Sequence, residues 1–149
     1  MTDEESKAEA REKAAKARKA FGDYLHALRN SRKETDSSFS VRGLAGKVGL
    51  SATYVSKIEW GELPASDDAV YKLAAALGVS ADEMFAKYGR IDPDLEKDIA
   101  AHEGPREMAA FLRTASGLSK ERLEMYRAMI DAAEARNPEK GTTDSGETV

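Results

Sequence analysis

Residues 41–61, VRGLAGKVGLSATYVSKIEWG, constrain the fold of this chain more than any other stretch. Their first half carries apolar residues at the spacing of one helix face. Gly49 follows, and glycine readily adopts the positive φ that a sharp turn between helices requires. Ser51 is suited to cap a second helix, in which Val55 and Ile58 would face the first. The stretch therefore predicts two short helices joined by a tight turn, a helix-turn-helix.

Further sequence blocks lie on either side of this stretch and in it. In order they read F-G-x-x-L-x-x-L-R (21–29), L-A-x-x-x-G-x-S (44–51), Y-V-S-x-I-E-x-G (54–61) and L-A-x-A-L-G-V-S-x-D-E-M-F (73–85). Together they resemble the Cro/CI-type (XRE-family) helix-turn-helix regulators of bacteria and phages, over residues 21–88. The resemblance implies an all-α protein with a compact five-helix DNA-binding domain, followed here by a small C-terminal helical region.

The resemblance, the helical patterns and the composition together predict four parts of the chain. Residues 1–19 form a basic N-terminal helical extension, and residues 20–90 form the helix-turn-helix domain. Residues 91–136 restart helical patterns after Gly89 and form a C-terminal dimerisation or regulatory region. Residues 137–149, NPEKGTTDSGETV, have the composition of a disordered tail.

The N-terminal extension has two possible roles. Residues 1–6 are polar and are expected to fray. Residues 7–19 hold six basic and two acidic residues among strong helix formers, without an apolar stripe. They are either a solvated surface helix that leads into the first helix of the domain (helix 1), or a basic extension that reaches DNA phosphates. Helix 1 itself is expected to bury Phe21, Leu25 and Leu28, with His26 and Arg29 on its polar side.

The net charge of −4 is unevenly distributed. Residues 1–33 hold nine Lys and Arg against six Asp and Glu, whereas residues 91–149 hold eight against thirteen. Because a binding face is a local property, the overall acidity does not exclude a nucleic-acid partner.

The family resemblance implies which residues contact double-stranded DNA. A recognition helix enters the major groove with its N-terminal residues against base edges. Thr53 can bond a base, Lys57 can reach guanine O6 and N7, and Ala52 suits a thymine methyl. The full predicted set is Arg42, Ser51, Ala52, Thr53, Tyr54, Ser56, Lys57 and Trp60.

Some members of this set carry alternatives. Many relatives have Gln at the start of the first helix of the helix-turn-helix (helix 2), where its side chain helps to hold a phosphate. This chain has Val41 there, so the next residue, Arg42, is the expected phosphate contact. Tyr54 is expected to contact phosphate or to pack rather than to read bases. Trp60 is expected either to stack on its own domain, which is the preferred interpretation, or to lie against the sugar–phosphate backbone. Glu59 is expected to be structural, because phosphates would repel its carboxylate.

The C-terminal helices hold too few apolar residues for an independent core. They are therefore expected to pack on the first domain, on a second copy or on a regulatory protein partner, and the preferred interpretation is a homodimer. The predicted interface residues are Phe111, Leu112, Leu123, Tyr126, Met129 and Ile130.

Other classes of protein are not supported by the sequence. There is no cysteine, the two histidines are far apart, and no metal-binding or phosphate-loop motif occurs. We therefore expect no enzyme activity, no cofactor and no metal. Without a long apolar run or a signal pattern, a cytoplasmic protein is expected.

These observations predict a sequence-specific DNA-binding transcriptional regulator, specifically a repressor that binds palindromic operators as a homodimer. The alternative is a protein-interaction adaptor, of an antiactivator or antitoxin-like kind, that kept the fold without binding DNA.

Overall fold

The computed structural model describes residues 2–137, so the predicted disordered tail lies outside the described residues except for Asn137. Within residues 2–137 the fold is all-α, as predicted, with no strand. No helix in this range is long and apolar enough to span a membrane. The helices are α1 (Asp3–Lys33), α2 (Val41–Val48), α3 (Ala52–Glu59), α4 (Asp67–Leu77), α5 (Ala81–Lys87), α6 (Pro93–Ala101), α7 (Pro105–Ser116) and α8 (Lys120–Arg136).

The described residues divide into two compact units, the first ending at Asp98 and the second beginning at Ile99. The first unit has a continuous apolar core to which each of α1 to α5 contributes. Its largest fully buried side chains are Phe21, Phe85, Leu25, Leu44, Ile58, Leu73, Leu77, Met84, Val55 and Val70.

Helix α1 is one continuous helix of 31 residues, and it begins earlier than expected. Thr2 and Glu5 form a reciprocal capping box, in which each side chain accepts a hydrogen bond from the other residue's backbone N–H at 3.3 Å. This cap satisfies two donors of the first turn, so the expectation of fraying over residues 2–6 is wrong. The core begins at Phe21, and the residues before Ala17 are exposed.

The helix-turn-helix has the local structure that the sequence predicts. Ser40 caps α2, where its hydroxyl accepts a hydrogen bond from the backbone of Gly43 at 3.0 Å. Gly49 follows α2 with φ at 69°. Ser51 caps α3 and accepts from the backbone N–H of Tyr54 at 3.1 Å. Both helix starts and the turn between them are thus explained by local side-chain and backbone chemistry.

Helix α1 lies directly on the C-terminal end of α3. Gly22 makes this approach possible, because a Cβ atom placed there would lie 2.4 Å from the carbonyl oxygen of Glu59 and 2.6 Å from that of Ile58. Any larger residue would displace backbone atoms. The orientation of α3 therefore depends on close contact with α1.

The segment after α5 is held on the first unit by polar contacts. The Arg90 guanidinium lies 4.0 Å from the ring centroid of Tyr88, and its Nη1 donates to the carbonyl of Ala65 at 3.3 Å. The Tyr71 hydroxyl donates a hydrogen bond to Asp92 Oδ1. The same oxygen accepts a hydrogen bond from the backbone N–H of Asp94 at 2.9 Å. Asp92 thereby caps α6 and ties its first turn to α4.

The second unit is described over residues 99–137. Pro105 occupies the first turn of α7, where a missing N–H costs nothing, and Ser119 caps α8 through the backbone N–H of Arg122 at 3.3 Å. All residues of α7 and α8 are described, and none of them is buried. The two helices therefore have no enclosed core of their own.

Candidate nucleic-acid interface

A shallow groove runs along the exposed side of α3 and the start of α2. Its lining includes six of the eight residues predicted to contact DNA, of which Arg42 is on α2 and the other five are on α3 or directly after it. The groove is lined by Val41, Arg42, Ala52, Thr53, Ser56, Lys57, Trp60 and Glu62. The turn at Gly49 and the burial of Val55 and Ile58 produce this arrangement, because they fix which side of α3 remains outside.

The polar groups of the groove are suited to a duplex. Thr53 and Lys57 lie one helical turn apart and are both exposed, so a hydroxyl and an ammonium group point to the same side. Arg42 adds a second cation from α2. An arginine and a lysine on adjacent helices can bind phosphate oxygens or guanine edges, whereas the small Ala52 permits close approach.

Ser51 and Tyr54, the other two predicted contacts, lie outside this lining and have intramolecular partners. Ser51 caps α3. The Tyr54 hydroxyl donates to the carbonyl of Pro64 at 3.2 Å and accepts from the backbone N–H of Ser66 at 3.1 Å. Tyr54 therefore connects α3 to the segment that precedes α4. This agrees with the packing role that the sequence left open for it.

Trp60 does not stack on its own domain, so the preferred interpretation of this residue is wrong. Its side chain is 71% exposed. The reason is its place on the helix: Ile58 and Glu59 both point inward, and the next residue is carried round to the outside. Trp60 lines the groove and also a neighbouring pocket between α1 and α3. A large aromatic surface is thus available at the end of α3.

A buried ion pair fixes α3 on α1. Arg29 Nε donates to Glu59 Oε1 at 2.6 Å and Nη2 donates to Oε2 at 3.2 Å. Arg29 and Glu59 are only 5% and 7% exposed. The structural role expected for Glu59 is confirmed, but the expectation that Arg29 lies on a polar surface is wrong. The guanidinium also donates to the carbonyl of Phe39 at 3.2 Å, so it joins three segments.

The pocket between α1 and α3 adds residues that sequence reasoning did not include. Lys19, Asp23 and His26 line it together with Trp60. Lys19 is paired with Asp23 at 2.6 Å on the exposed side of α1. Glu62, which follows α3, was also missed and places a carboxylate in the groove. The approach of α1 to α3 brings Lys19, Asp23 and His26 next to Trp60, and no local pattern indicated it.

One comparison with known proteins, that with family models, agrees with this geometry. Residues 20–85 match the family model described as a helix-turn-helix domain. Neither the comparison with curated proteins nor that with solved structures gives a significant match. The fold, the groove and the family match together define a helix-turn-helix domain, a class whose recognition helix binds DNA and which supports a regulatory role.

Proposed function

We propose that this chain is a sequence-specific transcriptional repressor of the Cro/CI type that binds palindromic operators as a homodimer. The groove on α3 is the observation that carries this proposal. It combines Thr53 and Lys57 on the exposed side of α3 with Arg42 on α2, and the opposite side of α3 is packed in the core. A pre-organised helix with donors on its free face is what base readout in the major groove requires.

The proposed contacts divide between specificity and affinity. Thr53 and Lys57 read base edges, with Ala52 and Ser56 beside them. Arg42 binds a backbone phosphate in place of the Gln that many relatives carry. Trp60 lies against the sugar–phosphate backbone, where its indole N–H can donate to a phosphate oxygen. A domain bound in the major groove of DNA excludes other proteins from the same base pairs, which is the simplest route to repression.

The second unit supports the proposed homodimer. An apolar groove between α7 and α8 includes four of the six predicted interface residues, and it adds Ala115 and Leu118. Its lining is Phe111, Thr114, Ala115, Leu118, Leu123, Tyr126, Arg127 and Ile130. Leu112 and Met129 are exposed outside that lining. A second copy would cover this apolar surface and complete a core that each copy lacks.

Selection of bound duplexes from a random pool tests the proposal. We expect one enriched palindrome whose half-sites are about 34 Å apart, one turn of duplex. Trp60 is the only tryptophan, so its emission can report binding of the selected duplex. Affinity should fall steeply with salt, because phosphate contacts release counterions. A pool that stays unenriched would contradict sequence-specific binding.

Glu62 in the groove and the net charge of −4 favour a second candidate, the protein-interaction adaptor. A carboxylate beside the recognition helix opposes phosphate and could instead pair with a basic protein surface. Such an adaptor would show no duplex affinity even at low salt. The same binding experiment therefore separates the two functions.

A further inference from the structure

The N-terminal half of α1 projects beyond the packed part of the first unit. We define residues 3–18 as the overhang. At the rise of an α-helix it is about 24 Å long, and its residues as far as Lys16 are exposed. The core of the domain does not require this length of helix, since the first buried residue is Phe21.

Asp3 and Glu4 in the acidic first turn lie on the same side as Lys7, and beyond that turn the charges of the overhang are separated onto two sides. Lys7, Arg11 and Arg18 follow the i, i+4, i+11 spacing of one helix side, and Ala14 fills the remaining position. The opposite side carries Glu5, Glu9 and Glu12 together with Lys13 and Lys16.

We call the side that carries Lys7, Arg11 and Arg18 the basic side. Intramolecular contacts explain the acidic residues of the overhang better than they explain this basic side. Glu5 belongs to the capping box, and acidic residues in the first turn favour the helix dipole. Lys16 lies 3.7 Å from Glu12 on the acidic side. Among the ion pairs within residues 2–137, none involves Lys7 or Arg11.

The basic side begins next to the candidate interface. Arg18 Nε donates to the carbonyl of Gly61 at 3.4 Å, directly after Trp60. Gly61 also lies close to α1, since a Cβ atom there would be 3.0 Å from Lys19 Cα. Arg18 is seven residues before the buried Leu25, so the basic side continues the side of α1 that faces the domain. The overhang therefore extends the surface that starts at the end of α3.

We infer that the overhang is a second DNA contact, in which Lys7, Arg11 and Arg18 bind phosphates of the duplex beside the bases that α3 reads. This inference rests on the proposed function of the groove. An arginine has five N–H donors, so Arg18 retains free donors after its bond to Gly61. Contacts of this kind carry no sequence information; they add affinity on any duplex and make it more dependent on salt.

A pair of matched variants of the full chain tests the inference. Lys7→Gln with Arg11→Gln removes two charges from the basic side. Lys13→Gln with Lys16→Gln removes two charges from the other side, so both variants have equal net charge and similar helix propensity. The readout is the slope of log affinity against log salt for a random-sequence duplex, measured by fluorescence anisotropy. Circular dichroism checks that both variants keep their helix content.

We expect the first variant to lose about 0.9 units of slope for each of two phosphate contacts, and the second to keep the wild-type slope. Equal slopes in the two variants, with duplex binding intact, would overturn the inference alone. A wild-type chain without affinity for any duplex would overturn both this inference and the proposed function.

Discussion

Thr53 and Lys57 are the residues on which sequence discrimination depends in the proposed complex. Replacing either with Ala should cost about 1–3 kcal/mol on the selected operator and should relax base preference at the contacted position. Anisotropy titrations on the operator and on a random duplex measure both effects.

Lys72→Ala is the matched control for Lys57→Ala. Lys72 is an exposed lysine on α4 that is paired with Asp68 at 2.8 Å and does not line the groove. Its replacement should leave both affinities close to wild type. If Lys57→Ala weakened operator and random duplex equally, Lys57 would be a phosphate contact and not a base contact.

Individual residues show where sequence reasoning succeeds. Gly49 and Ser51 were assigned correctly because capping and positive φ depend on neighbours within three or four residues. Arg29 was misplaced because its partner, Glu59, lies thirty positions away and no periodicity connects them. Trp60 was misplaced although its exposure follows from a local cause, the inward direction of Ile58 and Glu59 just before it.

At the scale of elements, the pair of Arg29 with Glu59 joins α1 to α3. Arg29→Met should destabilise the domain by about 3–5 kcal/mol, because it leaves the buried carboxylate of Glu59 with only His26 Nδ1 beside it, at 3.8 Å. Adding Glu59→Met should restore a large part of that loss, since no uncompensated charge remains. Urea unfolding of the three variants measures the difference.

Lys19→Met is the control for this element contact. It removes the ion pair of Lys19 with Asp23, which is similar in length to the buried pair. Both side chains of this pair are more than half exposed. Its cost should stay below about 1 kcal/mol. An Arg29→Met variant as stable as Lys19→Met would show that the buried pair does not hold the two helices together.

The contact of α4 with the start of α6 has a dependence on pH. The hydrogen bond that Tyr71 donates to Asp92, with a smaller effect of burial, raises the pKa of Tyr71 from 10.0 to about 12. Folding thus favours the protonated hydroxyl. The resulting stabilisation is complete below about pH 10 and is lost as pH rises through about 12.

Tyr71→Phe should therefore be less stable than wild type at neutral pH, and the gap should narrow between about pH 10 and pH 12. Urea midpoints of both proteins across that range provide the measurement. A gap that stays constant through pH 12 would mean that the hydroxyl does not contribute through its bond to Asp92.

Whole elements were predicted with different success. The helices α2 to α5 follow from caps, glycines and apolar spacing, which are all local signals. The early start of α1 could also have been found, because T-x-x-E at residues 2–5 is a capping-box sequence. The meeting of Lys19 and Trp60 in one pocket could not, since it arises from packing between helices distant in sequence.

For the whole molecule, the proposed homodimer makes the most direct prediction. Tyr126→Asp with Ile130→Asp places charges in the apolar groove of the second unit and should give a monomer, because unpaired charges cannot be buried cheaply. Ala128→Asp with Ala135→Asp adds the same charges to the opposite side of α8 and should remain a dimer. Sedimentation velocity distinguishes these outcomes.

A chain that ends at Asp98 offers an independent check. It retains the whole core of the first unit and the bond from Tyr71 to Asp92. It should stay folded, become monomeric, and lose far more affinity for a full operator than for a half-site. A dimer formed by this shortened chain would refute the role of α7 and α8.

The absence of buried side chains in α7 and α8 also affects how such a protein would respond to its own abundance. When the second units of two copies must meet to complete a core, the concentration of dimer grows with the square of the concentration of free chain. Doubling a low supply then raises the paired form by about fourfold. Occupancy of an operator would rise more steeply than synthesis of the chain, so modest changes in production or degradation would be enough to switch its target.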